Sequence, residues 1–472
     1  MSKIDIIEVL LYFALLIIVG VIGSKRAKTS EDYALAGRNL GFFMYLGCLA
    51  AVILGGASTI GTASLGYKFG ISGAWFVFSI GLGIAVLGLF FITKISKYKV
   101  LTISELLGKR YNERARLISG VVAAIYTLMV SVTQVIGIGT IFNVLLGWDL
   151  KITMVLGGGI VVFYTILGGM WSVTVTDIIQ FVVKTTGVFF IMLPISLSHA
   201  GGWKALTATL PANYFDLSNM GYDKIFQYFM LYTLGMVVSQ DIWQRIFTAK
   251  TAKISKWGAI FAGAYSVAYA VALSIIGMCG VILLPNLADP QNVFAHMAIS
   301  ILPHGVLGII LAAVCSALMS TSSGTLLASS TIITNDLLKQ HVLKNISDKQ
   351  LVFVSRVTTL TVGLLAIVFA LWIQNILVAL DVAYAILSGA IFVPTVMGFF
   401  WKRATAKAGF YSIIVSTIVV LGGLAVEGLS ATNPILYGIA AGVVVMCVTT
   451  LLFSKNETSL IMHSQEEEQI LS

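Results

Sequence analysis

Thirteen stretches of this chain are apolar over the length a bilayer demands, and that repetition constrains the fold more than any motif. They run 5–23, 40–66, 71–95, 117–146, 152–169, 172–197, 225–246, 255–284, 304–334, 351–374, 376–401, 406–427 and 433–453. Crossing the hydrocarbon core takes roughly 20 residues of helix. No water is present there to satisfy backbone N–H and C=O groups, so such stretches bond internally, as helices. With 58% hydrophobic and 10% charged residues, the composition lies outside the soluble range. The expected fold class is an all-α polytopic membrane protein of thirteen transmembrane helices. The first stretch is too long for a signal-peptide core and no basic region precedes it, so it reads as a span.

An odd number of spans puts the termini on opposite sides, and the positive-inside rule decides which. With the N-terminus outside, only Lys3, Lys68, Lys151, Lys204 and Lys224 face out. Lys184 and Arg356 fall within spans, and the other 22 of the 29 basic residues collect inside. The inner set includes Lys25, Arg26 and Lys28 after the first span, Lys97 and Lys99 after the third, Lys344 after the ninth, and Lys455 at the end. The expected placement is therefore a cell inner membrane, N-terminus out and C-terminus cytoplasmic. This asymmetry accounts for much of the net charge of +9 and argues against a nucleic-acid partner; the lipid bilayer is the partner implied. Between the third and fourth spans, Thr102-Ile-Ser-Glu105 reads as a capping box that opens a short cytoplasmic helix over 102–111. The segment 201–223, with Pro211, Asn213 and Asn219, reads as an external loop, and 454–472 as a polar cytoplasmic tail.

Several chemistries find no footing. Cys48, Cys279, Cys315 and Cys447 all sit in apolar spans, which argues against a disulfide framework. The five histidines are scattered over span edges and loops. Nothing matches a phosphate loop, a nucleophile elbow or a metalloprotease helix, so the chain does not read as an enzyme.

Two stretches stand out within the apolar background. In 311–330, Ala317, Ser320, Thr321 and Gly324 share one helix face. Such a face lets another backbone approach, and its hydroxyls suit a hard cation; a plain packing seam is the alternative. In the second span, Gly55 and Gly56 weaken the helix by about 1 kcal/mol each. Five spans later, Gly235 and the polar end Ser239-Gln-Asp241 stand in a corresponding place. Paired interrupted helices in two halves are the mark of an inverted-repeat transporter with a mid-membrane site. The expected division is 1–39 (N-terminal helix and cytoplasmic loop), 40–197 and 198–401 (two inverted five-helix repeats), 402–453 (two C-terminal helices) and the tail.

The chain also resembles the sodium/solute symporter family over about residues 5–410. The resemblance rests on Tyr33-Ala-Leu-Ala-Gly-Arg-Asn-Leu-Gly41, Thr102-Ile-Ser-Glu-Leu-Leu-Gly-Lys-Arg-Tyr111 and Gly168-Gly-Met-Trp-Ser-Val-Thr-Val-Thr-Asp-Ile-Ile-Gln180. It continues through Trp243-Gln-Arg245, Ala317-Leu-Met-Ser-Thr321 and Phe400-Trp-Lys-Arg-Ala-Thr405, in that order and spacing. It implies a LeuT-type fold with an added N-terminal span and cation-coupled solute uptake by alternating access. By position, the family's main sodium site matches a carbonyl at Ala317, the hydroxyls of Ser320 and Thr321, and carbonyls near Leu54 and Ala57. A second sodium site found in some members matches Asp177 and Ser323, but its further serine is Gly324 here.

Lys184 departs from the family pattern. It follows Asp177 by seven residues, so it shares that helix face roughly 10 Å further toward the outside, in the direction of the main cation site. An ionisable residue inside a span is a functional candidate by default. A buried amine that takes up and releases a proton could stand in for sodium, as in some proton-coupled carriers of the wider fold; snorkelling, carbonyl pairing and anion binding are the other readings. For the solute, the candidates facing the gap between the broken spans are Ile53, Ser58, Thr59, Ser239, Gln240, Asp241, Asp381 and Tyr384. The glycine pattern of the second span is nearest to the choline-carrier branch. That branch carries an aromatic where this chain has Ile53, so choline does not transfer with the resemblance.

The expected function is a secondary symporter that imports a small polar organic solute, driven by Na+, or by H+ through Lys184. A transporter-fold membrane sensor without net transport is the alternative from another class.

Overall fold

The computed structural model describes residues 2–24, 30–96, 98, 100–343 and 346–453. Lys25, Arg26, Lys28, Lys97, Lys99, Lys344 and Lys455, counted above for topology, and the tail 454–472 lie outside the described residues. Within them the chain is helical throughout, with one isolated parallel bridge between Leu40 and Ala249. Among the described residues, nine helical stretches are long and apolar enough to cross a membrane. Two shorter apolar helices, Phe42–Ile53 and Leu150–Phe163, accompany them.

The elements that position the site are α1 (Lys3–Ser24), α2 (Phe42–Ile53), α3 (Thr62–Phe69), α4 (Trp75–Val86), α5 (Ile103–Arg110), α6 (Glu113–Leu146) and α7 (Leu150–Thr185). They continue with α8 (Leu234–Val238), α9 (Gln240–Ile246), α10 (Ala252–Leu283), α11 (Val306–Ile332), α12 (Asp348–Ile373), α13 (Ile376–Phe400), α14 (Ala406–Glu427) and α15 (Asn433–Phe453).

Local sequence explains where these helices begin and turn. Asn112, Thr251, Asn375 and Thr405 each cap the helix that follows through a side-chain oxygen, which satisfies one of its unpaired N–H groups. At α5, Thr102 Oγ1 accepts from Glu105 N at 3.0 Å as the capping box requires. The reciprocal arm differs: Glu105 Oε2 accepts from Leu101 N at 2.8 Å, one residue earlier than the motif prescribes. The expected boundary between 152–169 and 172–197 falls inside α7, at Gly169 (φ 58°, ψ −165°), a conformation that only glycine adopts readily.

Burial sorts the helices into an inner and an outer set. α6, α11 and α13 are mostly enclosed, and α11 packs against α1, α2, α6, α7 and α12. α14 and α15 pack on each other and on α13 and expose most of their surface. The polar run in α11 is thus surrounded by protein, not lipid, which is where intramembrane hydroxyls can find partners. At one end of the bundle, Asp336 is locked by Arg116 (Nε 2.9 Å, Nη2 2.8 Å) and by the hydroxyls of Thr102 (2.6 Å) and Ser104 (2.7 Å). That cluster fastens α5 and the start of α6 to the end of the α11 segment. Nearby, Leu40 N donates to Thr248 O and Lys250 N to Leu40 O, both at 3.0 Å, joining the entry to α2 with the exit from α9.

Candidate functional site

The second apolar stretch is a broken helix, as its glycine pair predicts. α2 ends at Ile53, Leu54 turns out of helical geometry (φ −99°, ψ 68°), and the chain resumes through a wide turn at Ala57–Gly61 into α3. The last four carbonyls of any helix lose their internal donors, and buried carbonyls must find others. Here side chains from three elements supply them. Lys184 Nζ, from α7, donates to the carbonyls of Ala50 (3.1 Å), Ala51 (2.7 Å) and Leu54 (3.2 Å). From α11, Ser320 Oγ donates to Ala51 O at 2.9 Å and Thr321 Oγ1 to Val52 O at 2.6 Å. Ser58 Oγ returns to Ile53 O at 3.1 Å.

The glycines are there for approach. A Cβ on Gly55 would lie 2.4 Å from Thr321 Oγ1 and 2.8 Å from Gln134 Oε1; one on Gly56 would lie 1.9 Å from Leu318 Cδ2. Gly56 N donates to Gln134 Oε1 at 2.8 Å, anchoring the far side of the break to α6. Gly55→Ala therefore forces apart the break and α11, at a cost of about 1–3 kcal/mol. We expect a lower melting temperature in detergent and loss of uptake, with no loss in Gly422→Ala, where a Cβ meets nothing within 4 Å.

The second break lies at Ser239 (φ −72°, ψ 119°), between α8 and α9. Trp243 Nε1 donates to the freed Val237 carbonyl at 2.8 Å. Asp241, in the first turn of α9, accepts from Ser239 Oγ (2.5 Å) and Tyr126 OH (3.1 Å) on Oδ1. Tyr126 OH also reaches Tyr384 OH at 3.1 Å. Between the two breaks lies a narrow, nearly closed pocket, lined among others by Ile53, Ala57, Ser58, Gln134, Asp241, Thr321 and Tyr384.

Most of the expected site residues gather around these two breaks, with some differences of direction. The carbonyls facing Ser320 and Thr321 are those of Ala51 and Val52, about one turn earlier than Leu54 and Ala57; Leu54 joins them through Lys184, while Ala57 lines the pocket. Ala317 O accepts from Ser320 Oγ at 3.1 Å, and Ser323 Oγ returns to Ser320 O at 3.2 Å. Thr59 turns to Tyr269 OH (2.9 Å) on α10. Gln240 faces α5, accepting from Ile103 N at 2.8 Å. Asp381 is bound by Tyr232 OH. Asp177 pairs with Arg245 Nη2 at 3.0 Å and takes the thiol of Cys48 at 3.2 Å. The guanidinium fills the space that Gly324 leaves: a Cβ there would sit 2.6 Å from Nη2.

Sequence reasoning missed Tyr126, Gln134, Met236, whose side chain also lines the pocket, and the partner role of Arg245. Gln134 was findable, being an amide in the middle of an apolar stretch. Tyr126 and Met236 carry no such signal.

Comparison with known proteins gives a consistent result. The profile of the sodium:solute symporter family matches residues 33–416. The high-affinity proline transporter PutP of Bacillus subtilis (strain 168) is 28% identical over 429 residues, covering 86% of this chain and 89% of that one. The sodium/proline symporter of Staphylococcus aureus (strain JH9) is 26% identical over 478 residues, covering 95% and 92%. Among solved structures, a Na+-coupled sialic acid symporter in a substrate-bound outward-open state superposes with a TM-score of 0.83 at 22% identity, covering 96% and 98%. The nucleobase-cation-symport-1 family transporter Mhp1, closed around bromovinylhydantoin, gives 0.60 at 17%, covering 93% and 98%. At these identities the structural matches establish a shared fold.

Proposed function

The chain belongs to the sodium:solute symporter family, and from that premise we propose how its two broken helices divide the work. As a member it is a multi-pass membrane transporter, not an enzyme, and it couples the movement of a small organic solute to sodium. Its bacterial relatives place it in the cell membrane.

In our reading, sodium binds at the end of α2, against α11. Its ligands are the carbonyls of Leu54 and Ala317, the hydroxyls of Ser320 and Thr321, and the carbonyl of Ala51 in place of that of Ala57. The observation that carries this is the convergence of hydroxyls from α11 on carbonyls released by the break. Sodium takes oxygen ligands, and an unwound backbone offers carbonyls not spent on helix bonds. Lys184 holds two of these carbonyls, those of Ala51 and Leu54, with an ammonium, so sodium entry displaces it. A second reading follows from the same contacts: the ammonium is itself the coupling cation and leaves by losing a proton. Arg245 beside Asp177 and Gly324 stands where a second cation would, so we propose a single site, with Asp177 and Ser323 structural.

The solute occupies the pocket between the breaks, against Ile53, Ser58, Ser239, Asp241 and Tyr384. Gln240, Thr59 and Asp381 act as struts behind it. We further propose thirteen spans, N-terminus out, with 40–197 and 198–401 as inverted repeats that rock around this pocket. The relatives named above carry proline, a zwitterion, and sialic acid, an anion, so their names alone do not choose the solute.

The test is uptake by proteoliposomes under an imposed sodium gradient, a proton gradient, or neither, with proline as the first solute. Accumulation that follows sodium and survives Lys184→Gln supports the first reading. Accumulation that follows the proton gradient and vanishes in Lys184→Gln supports the second.

A further inference from the structure

Asp241 is an acid with no cation in contact with its carboxylate; Arg245, one turn along α9, acts on it only through space. It is 3% exposed and lines the pocket, yet no Lys or Arg nitrogen lies within 4 Å of its carboxylate among the described residues. The two nearby cations are committed elsewhere. Arg245 gives Nη2 to Asp177, and its Nη1 reaches the backbone carbonyl of Asp241, not the carboxylate. Lys184 spends its three N–H groups on α2 carbonyls. Nor is Asp241 a cap: no side chain caps α9, and the two donors to Asp241 are hydroxyls, both on Oδ1. Neither hydroxyl bonds Oδ2.

A carboxylate taken out of water with no counter-charge in contact is costly, and a ligand that brings the charge into contact offsets the cost. Around it the pocket walls are mostly apolar, from Val52, Ile53, Ile80, Val130, Met236 and Leu380, with the Tyr384 ring alongside. Tyr126 and Tyr384 pack edge to face, centroids 5.2 Å apart, beside the carboxylate. Apolar walls, a tyrosine ring and one carboxylate together suit a nitrogen cation carrying carbon substituents better than a bare metal ion, which would ask for several oxygens.

Resting on the symporter reading above, we propose that the solute is a small organic cation or zwitterion whose positively charged nitrogen is held by Asp241. Sodium and the solute then bring two positive charges to opposite sides of the α2 break, the first to the α11 hydroxyls and the second to the start of α9.

The experiment uses the full-length purified protein in detergent with saturating NaCl. Melting temperature is titrated with compounds that carry a positively charged nitrogen and with isosteres that lack it: L-proline against tetrahydrofuran-2-carboxylate, pyrrolidine against tetrahydrofuran, and choline against 3,3-dimethylbutan-1-ol. We expect at least one nitrogen compound to protect while its isostere fails at a tenfold higher concentration. Asp241→Asn should raise the protecting concentration at least tenfold, Asp241→Glu should recover part of it, and the shift caused by sodium alone should persist in both. Equal protection by the isosteres, no protection by any nitrogen compound, or an unchanged midpoint in Asp241→Asn would overturn the assignment. If the variants do not fold, the isostere comparison on the unaltered protein decides alone. Absence of any sodium shift in the unaltered protein would instead count against the symporter reading, so the two failures are distinct.

Discussion

Replacing Arg245 with methionine is expected to destabilise the protein by about 3–5 kcal/mol, because it leaves Asp177 as an uncompensated buried charge. Both side chains are fully buried, and the pair joins α7 to α9 at 3.0 Å. The pair is incompletely satisfied: Asp177 Oδ1 and Arg245 Nε have no hydrogen-bond partner among the described residues. An ion pair in that condition contributes little net stability over neutral groups of similar size, although breaking it is costly. The double variant Asp177→Asn with Arg245→Met should therefore recover most of the loss. Thermal unfolding in detergent of the two single variants and the double variant measures this directly. Equal destabilisation in the double variant and the Arg245 variant would show that Arg245 acts through its packing on Gly324.

Lys184→Met should be the next most damaging change in the absence of sodium. It removes the ammonium shared by the carbonyls of Ala50, Ala51 and Leu54; Ala51 O keeps Ser320, and Ala50 lies within the last turn of α2, whereas Leu54 lies beyond it. An unsatisfied buried acceptor costs about 1–3 kcal/mol, so the orphaned Leu54 carbonyl predicts a loss of about 1–3 kcal/mol. Sodium should then restore more stability to Lys184→Met than it adds to the unaltered protein, since no ammonium has to be expelled first. The check is melting temperature in NaCl against KCl at equal ionic strength. A variant as stable as its parent in KCl would mean that the lysine does not hold the break.

The same residues show how much of the fold the amino-acid sequence encodes locally. Helical spans were legible because hydrocarbon leaves the backbone no alternative; the first break was legible because two adjacent glycines weaken a helix wherever they fall. The reach of Lys184 toward that break followed from its seven-residue offset from Asp177. The register of the cation ligands did not follow. Which carbonyls are released depends on where α2 stops, and that is set by Thr321 and Leu318 pressing on Gly55 and Gly56. Nothing local to 40–66 encodes those neighbours. Gln240 illustrates a finer limit: it adjoins Asp241 in sequence, but successive helix positions point about 100° apart, and it faces α5 while Asp241 faces the pocket. The Arg245 contact with Asp177 spans 68 positions and joins two elements whose proximity only the assembled bundle creates.

Sodium binding where α11 meets the end of α2 is tested most directly by one titration. Melting temperature is followed as NaCl replaces KCl in the unaltered protein, in Thr321→Ala, and in Thr325→Ala one turn further along α11. The expected result is a sodium-specific rise whose midpoint moves up at least tenfold in Thr321→Ala and stays in place in Thr325→Ala. A midpoint unchanged in Thr321→Ala, or a rise of the same size in potassium, would contradict the assignment of the sodium site.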